Sequence, residues 1–237
     1  MYRKQQGFTL VEIAIVLVII GLLLGGVLKG QELINSAKVK NLANDFRNIS
    51  TFIYAYQDKY RALPGDDRAA TAHLGAPAVC AGDPACPEPP AANVGNGRIN
   101  GPWFWAGAPV QTDESYMFWQ HVRVANLAAG PTVLGGADYI PRNADGGLMG
   151  ITGEPVITTA GAWSGNFFIC SAGIQGRFAR QIDTTIDDGN TTSGTFRVIG
   201  TTAENIANPG GLATAATSGV NLTAAEDTNL YTVCVAN

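Results

Sequence analysis

Histidine is scarce in this sequence: only two of the 237 residues are histidine, His73 and His121. The chain also contains no GxSxG, HExxH, P-loop or dinucleotide-binding pattern. Because general acid–base catalysis uses histidine more often than any other side chain, this shortage leaves little material for a catalytic site. The sequence predicts a protein that is not an enzyme and has no cofactor, apart from the calcium considered below.

Charged residues are also few. The chain has 15 basic and 19 acidic residues, a net charge of −4. If a leader containing Arg3 and Lys4 is removed, 13 basic and 19 acidic residues remain, and the net charge is −6. Nucleic-acid binding depends on a basic surface, so the bulk charge argues against a nucleic-acid partner.

Proline is absent from Phe8 to Leu63, so nothing in this stretch forbids one long helix. Its first part, Phe8 to Leu28, is apolar except for Glu12. At about 1.5 Å per residue, such a helix is long enough to cross a bilayer core. The basic residues before it place the N-terminus in the cytoplasm, and the rest of the chain is then exported.

The sequence GFTLVE, Gly7 to Glu12, resembles the class III signal of type IV pilins and type II secretion pseudopilins. The resemblance implies that a prepilin peptidase cleaves after Gly7 and that the new N-terminus, Phe8, is N-methylated. It also implies that Glu12 pairs with the Phe8 amine of a neighbouring copy during assembly on an inner-membrane platform. Two alternatives stay open: an ordinary membrane anchor, and a Glu12 that only reaches the lipid headgroups.

Four glycines lie at the end of the apolar segment, where Gly21 with Gly25 and Gly26 with Gly30 form two GxxxG pairs. Small residues let helices approach closely, so these positions predict helix packing between copies. Glycine also weakens a helix, and local melting on assembly is the second interpretation.

The second half of the helix has one apolar face, predicted to pack on a globular head. We expect a leader at 1–7, a membrane and filament-core helix at 8–28, a stem at 29–62 and a head at 63–237. The resemblance implies an α+β fold in which the long helix packs on a small antiparallel sheet. The apolar face of the stem consists of Leu42, Phe46, Ile49, Ile53, Tyr56 and Tyr60.

Within the head, residues 61–112 read as a long loop region, and Trp103, Phe104 and Trp105 are expected to pack beneath it. A helix is predicted from Glu114 to about Leu127, with Asp113 as its cap. A short helix containing Phe178 and Ile182 should end at 187–189, and residues 201–228 are predicted to form a long surface loop. Strands are predicted at 163–172, 195–199 and 230–235.

The four cysteines form an even set in an exported region, where disulfides are favoured. Cys80 and Cys86 are close in sequence around a turn, so we predict a Cys80–Cys86 bond and a Cys170–Cys234 bond. Sequence leaves the other two connectivities open. A zinc site is the competing interpretation, but the chain lacks close cysteine and histidine pairs.

Calcium is the one ion that the sequence suggests. Asp183, Asp187, Asp188 and Asn190 place oxygen donors near a turn, although their spacing differs from the EF-hand loop. Some pseudopilins bind calcium in a C-terminal loop. The alternative is that these side chains only form the turn.

Together these features predict a structural subunit of a type IV pilus-like helical filament. The precursor would wait in a bacterial inner membrane, and the processed subunit would join a homopolymer outside the cell. The first alternative is a periplasmic type II secretion pseudopilin, and the second is a membrane-anchored exported enzyme. Two further stretches, 60–66 and 182–197, resemble recurring features of long pilin-like proteins.

Overall fold

The computed structural model describes residues 9–75, 95–136, 138–159 and 163–237. The chain divides into two units, Met1–Lys40 and Asn41–Asn237, and each is described by itself. The elements, in chain order, are α1 Leu10–Tyr60, α2 Ala70–Leu74, α3 Glu114–Val124, β1 Met149–Thr152, β2 Phe168–Gln175, α4 Gly176–Ile186, β3 Phe196–Val198, α5 Thr202–Ala207, a 3₁₀ helix Ala224–Glu226 and β4 Leu230–Ala236.

The first unit contains the apolar half of α1. Every residue from Thr9 to Leu28 is exposed, and the helix contains an 18-residue window long and apolar enough to cross a membrane, none of it buried. A helix that is apolar on all sides belongs in a large core or in a bilayer. The described residues of this chain provide no such core around it.

In the second unit, α1 changes character and buries one face. Leu42, Phe46, Ile49, Ile53 and Tyr56 are 0–3% exposed, which confirms the predicted apolar stripe. Tyr60, the last member of that stripe, is only half-buried. The steps of three and four residues keep these side chains on one face of the helix, and this face carries the helical part of the head's core.

The end of α1 is set by Arg61 rather than by the proline that follows. Arg61 takes a left-handed conformation, φ 58°, and its N–H donates to the carbonyl of Gln57 at 2.8 Å. This closes the last turn in the way a C-terminal glycine usually does. Pro64 and Gly65 follow, and α1 ends at Tyr60, two residues before the predicted stem boundary at 62.

A four-stranded antiparallel sheet, in the order β1-β2-β4-β3, forms the other half of the head. The last strand in sequence, β4, therefore lies between β2 and β3. Phe196 on β3 meets Phe46 of α1 edge to face, with ring centroids 6.2 Å apart. Edge-to-face pairs are favoured by the ring quadrupoles, and this pair joins the stem helix to the sheet. The predicted α+β, pilin-like architecture is confirmed.

The predicted Cys170–Cys234 disulfide joins β2 to β4. The two residues are direct cross-strand partners, their Cα atoms are 4.1 Å apart, and both side chains are fully buried. The bond closes a loop with a sequence separation of 64. The predicted Cys80–Cys86 bond lies outside the described residues.

The boundaries of α3 and its cap differ from the prediction. The helix ends at Val124 rather than near Leu127, because Asn126 takes a left-handed conformation, φ 61°, and turns the chain. Asp113 occupies the N-cap position but makes no side-chain capping bond. Its carboxylate instead accepts the indole N–H of Trp105 at 2.9 Å.

Strand β1 was not predicted, since it is short and contains a glycine. That glycine is required: a Cβ at Gly150 would strike the backbone carbonyl of Trp103. The predicted strand at 163–172 in fact begins at Phe168 and runs to Gln175. The predicted helix at Phe178 and Ile182 is confirmed as α4, and the strand at 195–199 as β3.

The prediction of a plain surface loop at 201–228 is wrong. Two capping boxes organise it, one between Thr201 and Glu204 at the start of α5 and one between Thr223 and Glu226 at the 3₁₀ helix. Asn205 ties α5 to the sheet, since its side chain donates to Ile199 O and accepts from the backbone N–H of Thr232, both at 2.8 Å. Local side-chain capping holds the two short helices, and between them Ala215 and Leu222 are buried in the core.

Replacing both Cys170 and Cys234 with alanine should lower the free energy of unfolding by about 2–5 kcal/mol, because the long loop is no longer closed in the unfolded chain. Thermal unfolding of the full chain measures this. The Cys80→Ala, Cys86→Ala double variant is the matched control, and its short loop should cost less. Equal stability of the wild type and the Cys170/Cys234 variant, or free thiols there in the folded protein, would contradict the account.

Candidate functional site

Glu12, the only charge in the apolar segment, forms a capping box at the start of α1. Its Oε2 accepts the backbone N–H of Thr9 at 2.8 Å and the Thr9 hydroxyl at 2.7 Å, and Thr9 Oγ1 accepts the backbone N–H of Glu12 at 3.3 Å. A carboxylate here also suits the positive end of the helix dipole. The sequence carries the matching T-x-x-E signal, which our sequence analysis missed.

Both hydrogen bonds that Thr9 donates to the Glu12 carboxylate end at Oε2, and neither ends at Oε1. The cap therefore leaves acceptor capacity on the same carboxylate for a second partner. The predicted processing residues, Gly7 and Phe8, lie outside the described residues, so the pairing of Glu12 with a Phe8 amine stays a prediction.

The four glycines of the apolar segment present open backbone. A Cβ built at Gly21, Gly25, Gly26 or Gly30 would meet nothing within 4 Å. Nothing in the described chain therefore requires glycine at these positions. If there is a steric reason for them, it lies in contacts with another molecule, as close helix packing would provide.

The stretch Tyr60–Asp66 and the next residue form a structural turn rather than a reactive site. Asp66 accepts backbone N–H groups from Gly95, Asn96 at 3.0 Å and Gly97 at 2.7 Å. Three such bonds satisfy a buried carboxylate and fasten the 95–97 loop to the end of the stem helix.

The two histidines of the chain both contact the turn that contains the next residue, Asp67. Asp67 Oδ2 lies 2.7 Å from both the Tyr56 hydroxyl and His73 Nδ1. His121 Nδ1 accepts the backbone N–H of Gly65 at 3.0 Å, and its ring stacks 6.1 Å from that of Tyr56. Burial lowers the pKa of His121 to about 4, so this histidine is neutral at pH 7. The two histidines are distant in sequence, yet both form hydrogen bonds to the same turn, Gly65–Asp67, and stabilise it.

The predicted calcium residues meet at the end of α4. Ligand atoms of Asp183, Asp187 and Asp188 all lie within 4.8 Å of one another. Most of these oxygens already have partners in the turn: Asp187 Oδ2 accepts Phe196 N–H at 2.7 Å, and Asp188 accepts Asn190 N–H and the Ser193 hydroxyl, each at 2.8 Å. This favours the turn-forming interpretation.

Asp183 is the exception in this acidic turn. It is fully buried, and its Oδ2 has no hydrogen-bond partner among the described residues. Burial raises the pKa of its carboxyl to about 6, and the neighbouring Asp187 and Asp188 charges add to this rise. A divalent cation with oxygen ligands would fit the three carboxylates, and calcium binding here stays a prediction.

The three consecutive aromatic residues predicted to pack beneath the loop region, Trp103, Phe104 and Trp105, differ in how deeply they are buried. Trp103 is buried in the core and donates its indole N–H to Leu212 O at 2.8 Å. Phe104 and Trp105 are only half-buried. The prediction of packing is confirmed for Trp103, and Phe104 packs against the same core cluster, whereas Trp105 meets Tyr116 edge to face.

One family model, the prokaryotic N-terminal methylation motif, matches residues 2–28. Comparison with curated proteins and with solved structures found no match. The matched residues contain the predicted cleavage site, the predicted new N-terminus and Glu12. The head is therefore described by its own structure alone.

Replacing Asp183 with asparagine should stabilise the head at pH 7 by about 1–3 kcal/mol in a chelator-containing buffer, because the variant buries no unpaired charge. In the wild type the pKa of Asp183 is raised by folding, so the folded protein holds one more proton than the unfolded chain between about pH 4 and pH 6. Wild-type stability from this group should be lost as pH rises through about 6, and Asp183→Asn should lack that loss.

Thermal unfolding from pH 4 to pH 8 measures this difference, and Asp58→Asn, at an exposed position outside this turn, is the control. Parallel pH profiles for wild type and Asp183→Asn would contradict it. Adding calcium tests whether the acidic turn binds this ion. A rise in unfolding temperature for the wild type but not for Asp183→Asn would support a calcium site there.

Proposed function

We propose that this chain, whose first 28 residues include the class III prepilin signal of type IV pilins and pseudopilins, is a structural subunit of a type IV pilus-like surface filament. The observation that carries the proposal is the exposed apolar half of α1 behind that signal. The motif itself supports a pilin- or pseudopilin-type subunit. Assignment to a surface pilus rather than a periplasmic pseudopilus is our inference.

The precursor stage follows from the signal and the helix. The prepilin motif implies processing by a prepilin peptidase, and the apolar helix fits a membrane-anchored precursor that is exported later. In a bilayer, lipid tails cover the apolar side chains and all backbone groups are bonded within the helix. Cleavage after Gly7 removes the basic leader and frees the helix to leave the membrane.

In the filament, neighbouring copies would replace lipid around the same helix. Lipid and leucine are equally apolar, so this exchange gains little from the hydrophobic effect and depends on close packing and polar pairing. The open glycines provide the close approach. Glu12 provides the polar partner, with Oε2 capping its own helix and Oε1 available to the Phe8 amine of the next copy.

The head suits the outside of such a filament. Its core is closed by a disulfide between adjacent strands, as expected in an oxidising, exported setting. The disulfide fixes the centre of the sheet, and the Phe46–Phe196 contact joins the stem to it. A periplasmic pseudopilin would need the same features, so phenotype separates the two: surface filaments lost on deletion favour a pilin, and accumulated unsecreted enzymes favour a pseudopilin.

The mature chain should begin at N-methylated Phe8. Gly7 precedes an apolar helix that the subunit must retain, so only the leader is removed. Mass spectrometry of the N-terminal peptide from sheared filaments measures this, and Gly7→Val should leave the uncleaved precursor in the membrane. Recovery of a peptide starting at Met1 from mature filaments would contradict the proposal.

A Glu12 series separates capping from pairing between copies. Glu12→Gln keeps an acceptor for the Thr9 cap but removes the charge, whereas Thr9→Val weakens the cap and keeps the carboxylate. We expect Glu12→Gln to reach the membrane normally and to yield few filaments, because leaving a buried amine without its partner typically costs about 3–5 kcal/mol. Thr9→Val should lose much less, since a helix cap contributes about 1 kcal/mol.

Filament yield after shearing, normalised to membrane-bound subunit, measures both variants. Wild-type yield from Glu12→Gln together with loss in Thr9→Val would show that Glu12 acts only as a cap.

A further inference from the structure

We infer that the head binds an uncharged saccharide in a groove beside Phe104 and Trp105. The groove consists of two adjoining cavities, about 400 Å³ and about 350 Å³, which share Phe104, Arg142 and Leu148 as lining residues. Each is within the size range of small-molecule sites. This groove lies wholly in the second unit and takes no part in the assembly segment.

The aromatic lining is held in place before any ligand arrives. Trp105 donates its indole N–H to Asp113 at 2.9 Å and meets Tyr116 edge to face at 5.7 Å. Phe104 lies 5.4 Å from the buried ring of Trp103, and its other neighbour is Gly211, where an added Cβ would come within 3.0 Å of the ring. Rings fixed in this way lose little conformational entropy on binding.

Polar groups with free capacity accompany these rings. Gln111 lines the larger cavity and Gln175 the smaller, while the exposed Arg142 lies at their junction. Arg142 uses one nitrogen, Nη1, to donate to Gly146 O at 2.8 Å, and a guanidinium has five N–H donors in all. The groove thus combines half-buried aromatic residues with amide and guanidinium groups.

The small net charge and the polar groups of the residues that line the two cavities argue against charged ligands and against wholly apolar ones. Among the residues that the structure describes, Arg142 is the only basic one lining either cavity, and the acidic Asp145 lines the smaller cavity. A phosphorylated or strongly acidic ligand would find no excess of positive charge. A wholly apolar ligand would bury the amide and guanidinium groups without partners, which is costly.

An uncharged saccharide satisfies both parts of the lining. One face of a pyranose ring presents C–H groups that pack on an aromatic plane, and its edge presents hydroxyls that donate and accept hydrogen bonds. The geometry thus assigns Phe104 and Trp105 to stacking, and Gln111 and Arg142 to hydroxyl recognition.

The test uses the full chain in a detergent without a sugar headgroup, so that the detergent cannot occupy the groove. Neutral di- and trisaccharides of glucose, galactose, mannose and N-acetylglucosamine are the probes, read by tryptophan fluorescence and by saturation-transfer NMR. At least one should bind saturably. Trp105→Ala should weaken that binding by about tenfold or more, and Gln111→Ala by several-fold.

Two controls keep the result decisive. Trp105→Phe retains a ring and should keep part of the affinity, which distinguishes lost stacking from a disturbed fold. Tyr54→Ala removes an exposed aromatic residue outside the groove and should bind like the wild type. The inference is overturned if no neutral saccharide binds, or if the Trp105→Ala and Gln111→Ala variants bind as the wild type does.

Discussion

The exposed apolar half of α1 is the constraint on which the rest of the molecule depends. From Thr9 to Leu28 every side chain is exposed within the described chain, so this segment is stable only in lipid or among apolar helices. Glu12 is the one charged side chain that must be accommodated there, and one of its two carboxylate oxygens, Oε2, is bonded to Thr9. The remaining capacity is what a neighbouring subunit would use.

In the head, the stem half of α1 is held against a small sheet by several kinds of contact. The Phe46–Phe196 contact and the buried stripe provide apolar packing. The Cys170–Cys234 bond fixes the centre of the sheet, and Asp66 and Asp67 tie loops and a second helix to the end of the stem. A head fastened this firmly could remain folded while its helix moves from lipid to filament.

Periodicity and turn residues predicted the long helix, its buried face, α4 and β3, because each leaves a dense local signal. The sheet disulfide was predicted from the even number of cysteines, with the other two connectivities left open. The misses have two causes. Strand β1 forms by pairing with β2, and the backbone of Trp103 leaves no room for a side chain at Gly150, so both constraints come from residues far away in sequence. Helix α5 does have a local signal, the T-x-x-E capping box of Thr201 and Glu204, and that signal was missed. The role of Thr9 was readable as a T-x-x-E cap and was overlooked.

The most direct test of the account is cryo-EM of filaments sheared from cells that produce this chain. The account predicts a helical homopolymer in which residues 8–28 form the core, the open glycines face neighbouring helices, and Glu12 lies beside the Phe8 amine of another copy. Filaments with this segment on their outer surface, or a subunit that stays a membrane monomer under conditions of assembly, would contradict it.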